Sequence, residues 1–215
     1  MLDNYYVGMA IIVMVSYLLG SIPTAYLVAR WKNINIFDIG SGNMGATNVV
    51  RSMGTTWGAF VMFCDMLKGA VAIAIARLLM PDSTAAATTV AAIASIVGHN
   101  WSLFASVITG TIKGGKGAAT AFGTLVMIAP IQVLLAMMIL GMIIVARTRY
   151  VSLAVLIAFA VGLIWLNVLV AQKFLTIEVF HYSIILGGLL VYRFRENIQR
   201  LLAGKERRLG DRVQT

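Results

Sequence analysis

The stretch AATAFGTLVMIAPIQVLLAMMILGMIIVA, residues 118–146, carries no charged side chain from end to end. A helix needs about 20 residues to cross the roughly 30 Å hydrocarbon core of a bilayer. The stretch can therefore make one long crossing, or two short ones if Pro130 divides it, since a proline ring removes an N–H and clashes with the preceding turn. Its flanks favour the second reading. Lys113 and Lys116 precede it, and Arg147 and Arg149 follow it. Cytoplasmic loops collect Lys and Arg, so both flanks belong on one face and the chain goes out and back between them. Each half is short, and tilt, local thinning or a re-entrant path is expected.

The same charge bias orders the rest of the chain. A first span, about Tyr5 to Ala29, follows Asp3 and leads to Arg30, Lys32 and Arg51, which puts the N-terminus outside and the following segment inside. A second, about Thr56 to Met80, returns outside at Pro81-Asp82-Ser83, and a third, about Ala85 to Val107, comes back in before Lys113. After the divided stretch, Arg147 to Ser152 lies inside. Spans from about Val151 to Val170 and Val179 to Tyr192 then leave the C-terminus cytoplasmic. The expectation is an all-α, polytopic integral membrane bundle of seven transmembrane helices, a single domain over residues 1–215. Five crossings are the second reading. Six come last, because they strand Arg147, Arg149 and the basic C-terminus outside.

Composition agrees with the class. Hydrophobic residues make up 60% of the 215 and charged residues 12%, with a mean hydropathy of +0.90; a soluble domain carries about 25% charged residues. The first apolar stretch is too long for a signal core and reads as a retained helix. The net charge of +9 fits anionic headgroups rather than nucleic acid. The stretch Arg193–Arg212 holds seven basic and three acidic residues, expected as an amphipathic helix or tail at the membrane surface. It lacks interleaved aromatics for base stacking, so no nucleic-acid partner is expected. Cys64 is the one cysteine and reads as a small core residue. His99 and His181 lie far apart, and no metal or other cofactor is expected. No internal repeat is visible, which weighs against a transporter.

Two polar segments carry the candidate chemistry. In Gly40-Ser41-Gly42-Asn43-Met44-Gly45-Ala46-Thr47-Asn48, the glycines at 40, 42 and 45 would let successive N–H groups converge on an anion, and Ser41, Asn43, Thr47 and Asn48 add neutral donors. Arg51 can grip a phosphate through two parallel hydrogen bonds. Lys113-Gly114-Gly115-Lys116-Gly117 repeats the idea in shorter form, with Lys116 as a point charge. It is not a Walker A loop, which needs Gly-x-x-x-x-Gly-Lys-Ser/Thr after a strand. On composition alone a glycine-rich turn and a solvated basic turn explain these segments equally well, and both readings stay open.

The order of motifs is more specific. Gly20-Ser21-Ile22-Pro23-Thr24-Ala25-Tyr26-Leu27, followed by Gly40-Ser41-Gly42-Asn43 through Thr47-Asn48 and Arg51, closely resembles the first signature of the bacterial acyl-phosphate-dependent glycerol-3-phosphate acyltransferases, the PlsY family. Asp65-Met66-Leu67-Lys68-Gly69 resembles that family's intramembrane Asp-x-Leu-Lys-Gly. Gly98-His99, Lys113 to Gly117 and Ala119-Thr120 resemble its second signature. Arg149-Tyr150-Val151-Ser152-Leu153 is similar to its Ser-Leu segment, and Arg195-Glu196-Asn197-Ile198 through Gly204 to Glu206 to its third. Two positions depart from the pattern. Phe194 stands where the family usually has His, which removes a polar group. Trp101-Ser102 replaces an aromatic-Pro pair, and the gap from His99 to Lys113 is several residues longer.

The resemblance implies transfer of a fatty acyl group from acyl phosphate to the 1-hydroxyl of sn-glycerol 3-phosphate, giving lysophosphatidate and phosphate, the first acylation of phospholipid synthesis. It implies a multi-pass protein of the bacterial plasma (inner) membrane with its site on the cytoplasmic side, with membrane lipids as neighbours. A soluble enzyme that makes acyl phosphate is a candidate partner. The implied catalytic residues are Ser41, Arg51, Lys116 and Asn197. The implied substrate-binding residues are Gly40, Gly42, Asn43, Gly45, Thr47, Asn48, His99, Gly114, Gly115, Gly117 and Ser152. Ser41 reads as a hydrogen-bond donor, since no His/Asp base is evident beside it. The alternatives are a catalytically impaired relative, or a transporter or lipid-binding protein that reuses the cradle.

Other polar groups have plainer readings. Asp65 and Lys68 share a helix face and should pair with each other or with neighbours. His99 reads as a helix-terminus hydrogen-bonder or a site residue, His181 as incidental, Glu196 as a partner of nearby arginines. Met127, Met137, Met138 and Met142 read as packing at helical spacing.

Overall fold

The computed structural model describes residues 2–211, with side chains from Asn4 onward; Arg212 and the Asp3 side chain lie outside that range. It contains ten α-helices and one 3-10 turn among the described residues: α1 Leu2–Ser21, α2 Thr24–Trp31, α3 Ala46–Met53, α4 Thr55–Leu79, a turn at Pro81–Ser83, α5 Thr84–Asn100, α6 Leu103–Thr109, α7 Ala118–Ile128, α8 Ile131–Thr148, α9 Val151–Ala171 and α10 Ile177–Leu202. The chain divides into two compact units, one up to Ile128 and one from Ala129.

Among the described residues, five helical segments are long and apolar enough to cross a membrane: Asn4–Trp31, Thr55–Leu79, Ile131–Thr148, Val151–Ala171 and Ile177–Leu202. At about 1.5 Å per residue, α5 extends roughly 26 Å and α7 roughly 16 Å, so these two are the short members. Pro130 divides residues 118–146 as expected, with α7 ending at Ile128 and α8 starting at Ile131. Three boundaries differ from expectation. The first span is interrupted before Pro23, whose ring cannot donate into the helix. The third ends at Asn100 instead of Val107, because Ser102 starts a new helix, α6, by accepting from the Ala105 N–H at 3.1 Å. The last runs past Tyr192 to Leu202, so half of the basic C-terminal stretch is a continuation of α10 rather than a separate helix.

In the first unit α1 packs on α5 and α4, and α4 also packs on α3, α5 and α7. Small residues permit this. A Cβ at Gly20 would overlap the Ser95 carbonyl, and one at Gly98 the Tyr17 carbonyl, so α1 and α5 approach through backbone-level contact as membrane helices do. In the second unit α9 packs between α8 and α10. Residues Ile131, Leu135, Met138, Ile139, Met142 and Ile143 of α8 stay exposed at helical spacing, a stripe suited to lipid. Only Met137 of the α8 methionines is buried. Met138 and Met142, read as packing at helical spacing, therefore face outward.

Candidate active site

The first polar segment is shaped by one side chain. Asn48, on the first turn of α3 and 2% exposed, accepts from the Ser41 N–H at 2.9 Å and donates to the carbonyls of Ile36 at 3.2 Å and Ile39 at 3.0 Å. Gly40 and Gly42 take left-handed backbone, φ 63° and 64°, and a Cβ at Gly42 would stand 3.0 Å from the Phe37 carbonyl oxygen. The Asn43 amide donates to the Ser41 carbonyl at 3.2 Å. The expected convergence of successive N–H groups on an anion is not what Ser41 and Gly42 form: their N–H groups are spent on Asn48 and on the Ile39 carbonyl, the latter at 3.1 Å. Gly45 is extended, φ −112°, with open space around it, and makes no demand for glycine. Thr47 and Arg51 lie four apart on α3, which puts them on one face; both are half-buried.

The second segment is folded against the end of α5. The Gly115 N–H donates to the His99 carbonyl at 2.9 Å, and the Ser102 N–H donates to the Lys113 carbonyl at 2.9 Å. A Cβ at Gly114 would overlap the Asn100 carbonyl, and one at Gly115 would overlap the His99 ring at Nε2. Glycine is required here by proximity. Gly117 is left-handed, φ 76°, and begins α7, its carbonyl accepting from Ala121 at 2.7 Å. Lys116 lies between, half-buried.

His99 joins this loop to the interior. Its carbonyl is a helix-terminus acceptor, one of the two expected roles, while its buried ring lies between Gly115 and Asp65, with Nδ1 3.8 Å from Asp65 Oδ1. Asp65 pairs with Lys68 at 2.9 Å, both almost fully buried, and Lys68 also donates to the Ile22 carbonyl at 3.0 Å. The expected ion pair is thus present. Met44, from the first segment, lines the same narrow recess as Gly20, Asp65, Lys68, His99 and Ser102. Lys113 Nζ sits 5.1 Å from the Phe37 ring centroid, within cation–π range. The second segment therefore touches the chain just ahead of the first, at Phe37, and His99, which holds Gly115, shares a recess with Met44 of the first.

The second unit gathers a separate set. Glu206, buried at 9% exposure, accepts at Oε1 from Ser152 at 3.0 Å and from Asn197 at 2.7 Å, and at Oε2 from Arg200 at 2.8 Å. Arg200 also stands 3.8 Å from Glu196. The Arg149 guanidinium and the Leu209 carbonyl hydrogen-bond, and the Leu209 N–H returns to the Arg149 carbonyl at 2.7 Å. These contacts fix the tail to the turn between α8 and α9. Phe194 is buried, three residues before Asn197 on α10. Glu206 is the group that reading residue types alone did not single out. Its signal was an acidic residue set alone in Lys205-Glu206-Arg207-Arg208.

With that geometry established, comparison with known proteins is direct. Residues 10–204 match the family model described as glycerol-3-phosphate acyltransferase. Proteins named glycerol-3-phosphate acyltransferase from Thermoanaerobacter sp. (strain X514), Geotalea daltonii and Aquifex aeolicus are 38%, 41% and 38% identical to it, over 93%, 91% and 92% of this chain and 95%, 95% and 97% of theirs. The crystal structure of PlsY (YgiH), an integral membrane glycerol 3-phosphate acyltransferase, superposes in its glycerol 3-phosphate form with a TM-score of 0.81 at 36% identity, over 94% of this chain and 96% of that one. Its lysophosphatidic acid form gives 0.80 at the same identity. Match length, identity and fold agree over nearly the whole sequence, and the chain belongs to the glycerol-3-phosphate acyltransferase family as a multi-pass membrane acyltransferase.

Proposed function

We propose that the protein transfers a fatty acyl group from acyl phosphate to the 1-hydroxyl of sn-glycerol 3-phosphate, releasing lysophosphatidate and inorganic phosphate. The observation that carries the reading is the placement, in one unit of a family member, of Lys113 against Phe37, just before Gly40, and of Met44 in the recess lined by His99, whose carbonyl holds Gly115. The solved relative with glycerol 3-phosphate and with lysophosphatidic acid supports acceptor and product. The acyl-phosphate donor rests on the motif resemblance.

The chemistry asks little of the protein beyond placement. Acyl phosphate is already activated as a mixed anhydride. The acceptor oxygen attacks the acyl carbon, the bond from that carbon to the phosphate oxygen breaks, and phosphate leaves with the electron pair. A substrate phosphate oxygen takes the hydroxyl proton. Ser41, Arg51 and Lys116 are assigned to phosphate and transition-state charge, with Asn43, Thr47 and the glycines at 40, 42, 45, 114, 115 and 117 shaping the cradle. Oriented binding of this kind can supply about 7–11 kcal/mol of a barrier. Asn48 fits a loop-shaping role and His99 a loop-supporting one. Asn197 and Ser152 keep the substrate-directed roles implied by the resemblance, each anchored through Glu206.

The arrangement in the membrane is proposed as seven spanning helices, counting α1 with α2 as one and including the short α5 and α7. The N-terminus is outside, and the Lys113–Gly117 loop faces the cytoplasm of a bacterial cell. The bacterial relatives support the setting. Labelling of cysteines introduced at Asp82, Lys113 and Arg149 tests it: Lys113 and Arg149 should be accessible from one side and Asp82 from the other, and Lys113 on the side of Asp82 would overturn the seven-span order.

The catalytic reading is tested with purified protein in lipid, acyl phosphate and glycerol 3-phosphate. Phosphate release with matching lysophosphatidate is expected, and its absence with glycerol 3-phosphate binding intact would refute enzymatic transfer. Arg51→Ala and Lys116→Ala should each lower turnover at least about 100-fold, the scale of losing one preorganised charge-stabilising donor.

A further inference from the structure

The long gap between His99 and Lys113 has no place in the acyl-transfer reading, and it is built as a small helix with two unlike sides. Residues Trp101 to Ile112 contain no charged side chain. The polar side of α6 is consumed inward. Ser102 caps it and its hydroxyl donates to the Ser21 carbonyl. Ser106 Oγ accepts from the Lys113 N–H at 3.0 Å, and Thr109 donates to the Ala105 carbonyl at 2.8 Å. The Tyr17 hydroxyl donates to the Trp101 carbonyl at 2.9 Å. Ala105 is fully buried. The segment is therefore bolted to α1 and to the start of the Lys113 loop.

The other side is apolar and open. Leu103, Phe104, Val107 and Ile108 are 42%, 40%, 73% and 52% exposed, and Ile112, just beyond the helix, is 79% exposed. At about 100° per residue the first four fall within an arc of about 140°. A loop bathed in water would carry charge there. What covers this face is indicated by its surroundings. The 17-residue α5 extends roughly 26 Å, so it ends near the edge of the hydrocarbon, and α6 begins three residues later. Ser102 is bonded to Ser21, next to Ile22, which is 39% exposed within the first spanning segment. Through Ser21, α6 thus adjoins a segment long and apolar enough to cross a membrane. Lys113 follows at once, a cation suited to anionic headgroups.

We infer that α6 is an in-plane interfacial helix, its arc Leu103, Phe104, Val107 and Ile108, together with Ile112, seated in the acyl–headgroup boundary of the leaflet that faces the Lys113–Gly117 loop. The occupant of the face is bilayer lipid. Seated there, α6 sets the depth of the loop that follows it, independently of what the loop binds.

The test places an environment-sensitive fluorophore, in full-length protein carrying Cys64→Ser, at Val107→Cys, Ile112→Cys and the exposed loop position Asp38→Cys, in single-copy lipid nanodiscs. Quenching is read with iodide in the water and with lipids carrying a nitroxide near the glycerol end or near the chain terminus. At 107 and 112, quenching by the glycerol-end nitroxide should exceed that by the terminal one at least about twofold, and iodide quenching should fall at least about threefold below that at 38, as for an apolar face buried about 5–10 Å into the boundary. Iodide quenching at 107 and 112 equal to that at 38 would put the face in water and overturn the inference. Stronger quenching by the terminal nitroxide would make the segment part of a spanning helix, and overturns it too. Protection that appears only with two copies per disc would assign the face to a second chain, with the same consequence.

Discussion

Removing the Glu206 carboxylate is expected to release the end of α10 and the tail together. Three donors converge on it: Ser152 and Asn197, both buried, and the Arg200 guanidinium. Arg200 is 35% exposed, so much of its ion pair is screened and its loss contributes about 1 kcal/mol or less. The two buried donors weigh more, because an unpaired buried group costs about 1–3 kcal/mol. Glu206→Ala should therefore cost about 3–5 kcal/mol. For a chain of this length that lowers the unfolding midpoint by on the order of 10 °C. Glu206→Gln keeps an acceptor for Ser152 and Asn197 but turns an amide N–H₂ toward Arg200, and should cost only about 1–2 kcal/mol. The assay is thermal unfolding by circular dichroism in a mild detergent, with tryptic release at Arg207 and Arg208 as a local readout. An alanine variant that melts with the parent, or a glutamine variant as damaged as the alanine one, would refute the assignment of the stability to these two buried donors. Asn197→Ala separates structure from chemistry. It should cost about 1 kcal/mol of stability, so a rate loss far beyond that marks a role at substrate.

Three further outcomes follow from the first unit. Gly115→Ala drives a methyl into the His99 ring, which Asp65 and burial hold in place; stability should fall by about 1–3 kcal/mol and kcat/KM by on the order of 100-fold through displacement of the loop, and a variant with parental kinetics would show that the loop has no fixed position. Asn48→Asp keeps the acceptor for Ser41 but turns a carboxylate oxygen toward two carbonyls, so it should melt lower than Asn48→Ala, itself down about 3 kcal/mol for three lost hydrogen bonds; an aspartate variant of normal stability but no activity would make Asn48 a substrate ligand instead. Lys68→Met should cost about 3–5 kcal/mol by leaving Asp65 in the interior without its ammonium partner, and adding Asp65→Leu should restore most of it; failure of the double variant to recover in a melting assay would mean that the pair does more than neutralise itself.

Legibility from sequence was uneven for physical reasons. Long apolar runs, basic flanks and Pro130 act locally, and they located α4, α8 and α9 to within a residue or two. The third span was overextended because the apolar pattern continues through Val107, whereas Ser102 breaks it by a hydrogen bond that hydropathy does not weigh. The polar segments were legible as segments but not as individual bonds. Asn48 and Ser41 look alike as donors in a string, yet one is turned inward to hold the loop. Glu206 could be quoted as the end of the third signature but not given a role, because its partners Ser152 and Asn197 come from two different helices, and nothing in a linear reading links positions 54 apart. Glycines were readable only as a class: Gly42 and Gly115 are demanded by conformation or contact, whereas Gly45 is not.

The break at Pro23 ties several of these observations into one argument. A continuous helix would commit the Ile22 carbonyl to the N–H four residues on; with α1 ending at Ser21, that carbonyl instead accepts from the Thr24 N–H at 3.0 Å and from Lys68. Lys68 is then held by a neutral acceptor on one side and Asp65 on the other, which lets a cation stay in a helix of membrane-spanning character. Asp65, fixed by Lys68, limits where the His99 ring can stand, and the His99 ring and carbonyl together limit where Gly115 can lie. An interrupted helix in the hydrophobic layer therefore sets the position of a basic loop at the end of α5. The intramembrane Asp-x-Leu-Lys segment and the glycine-lysine loop are accordingly one mechanical unit. A change at Lys68 is expected to reach the loop through Asp65 and His99.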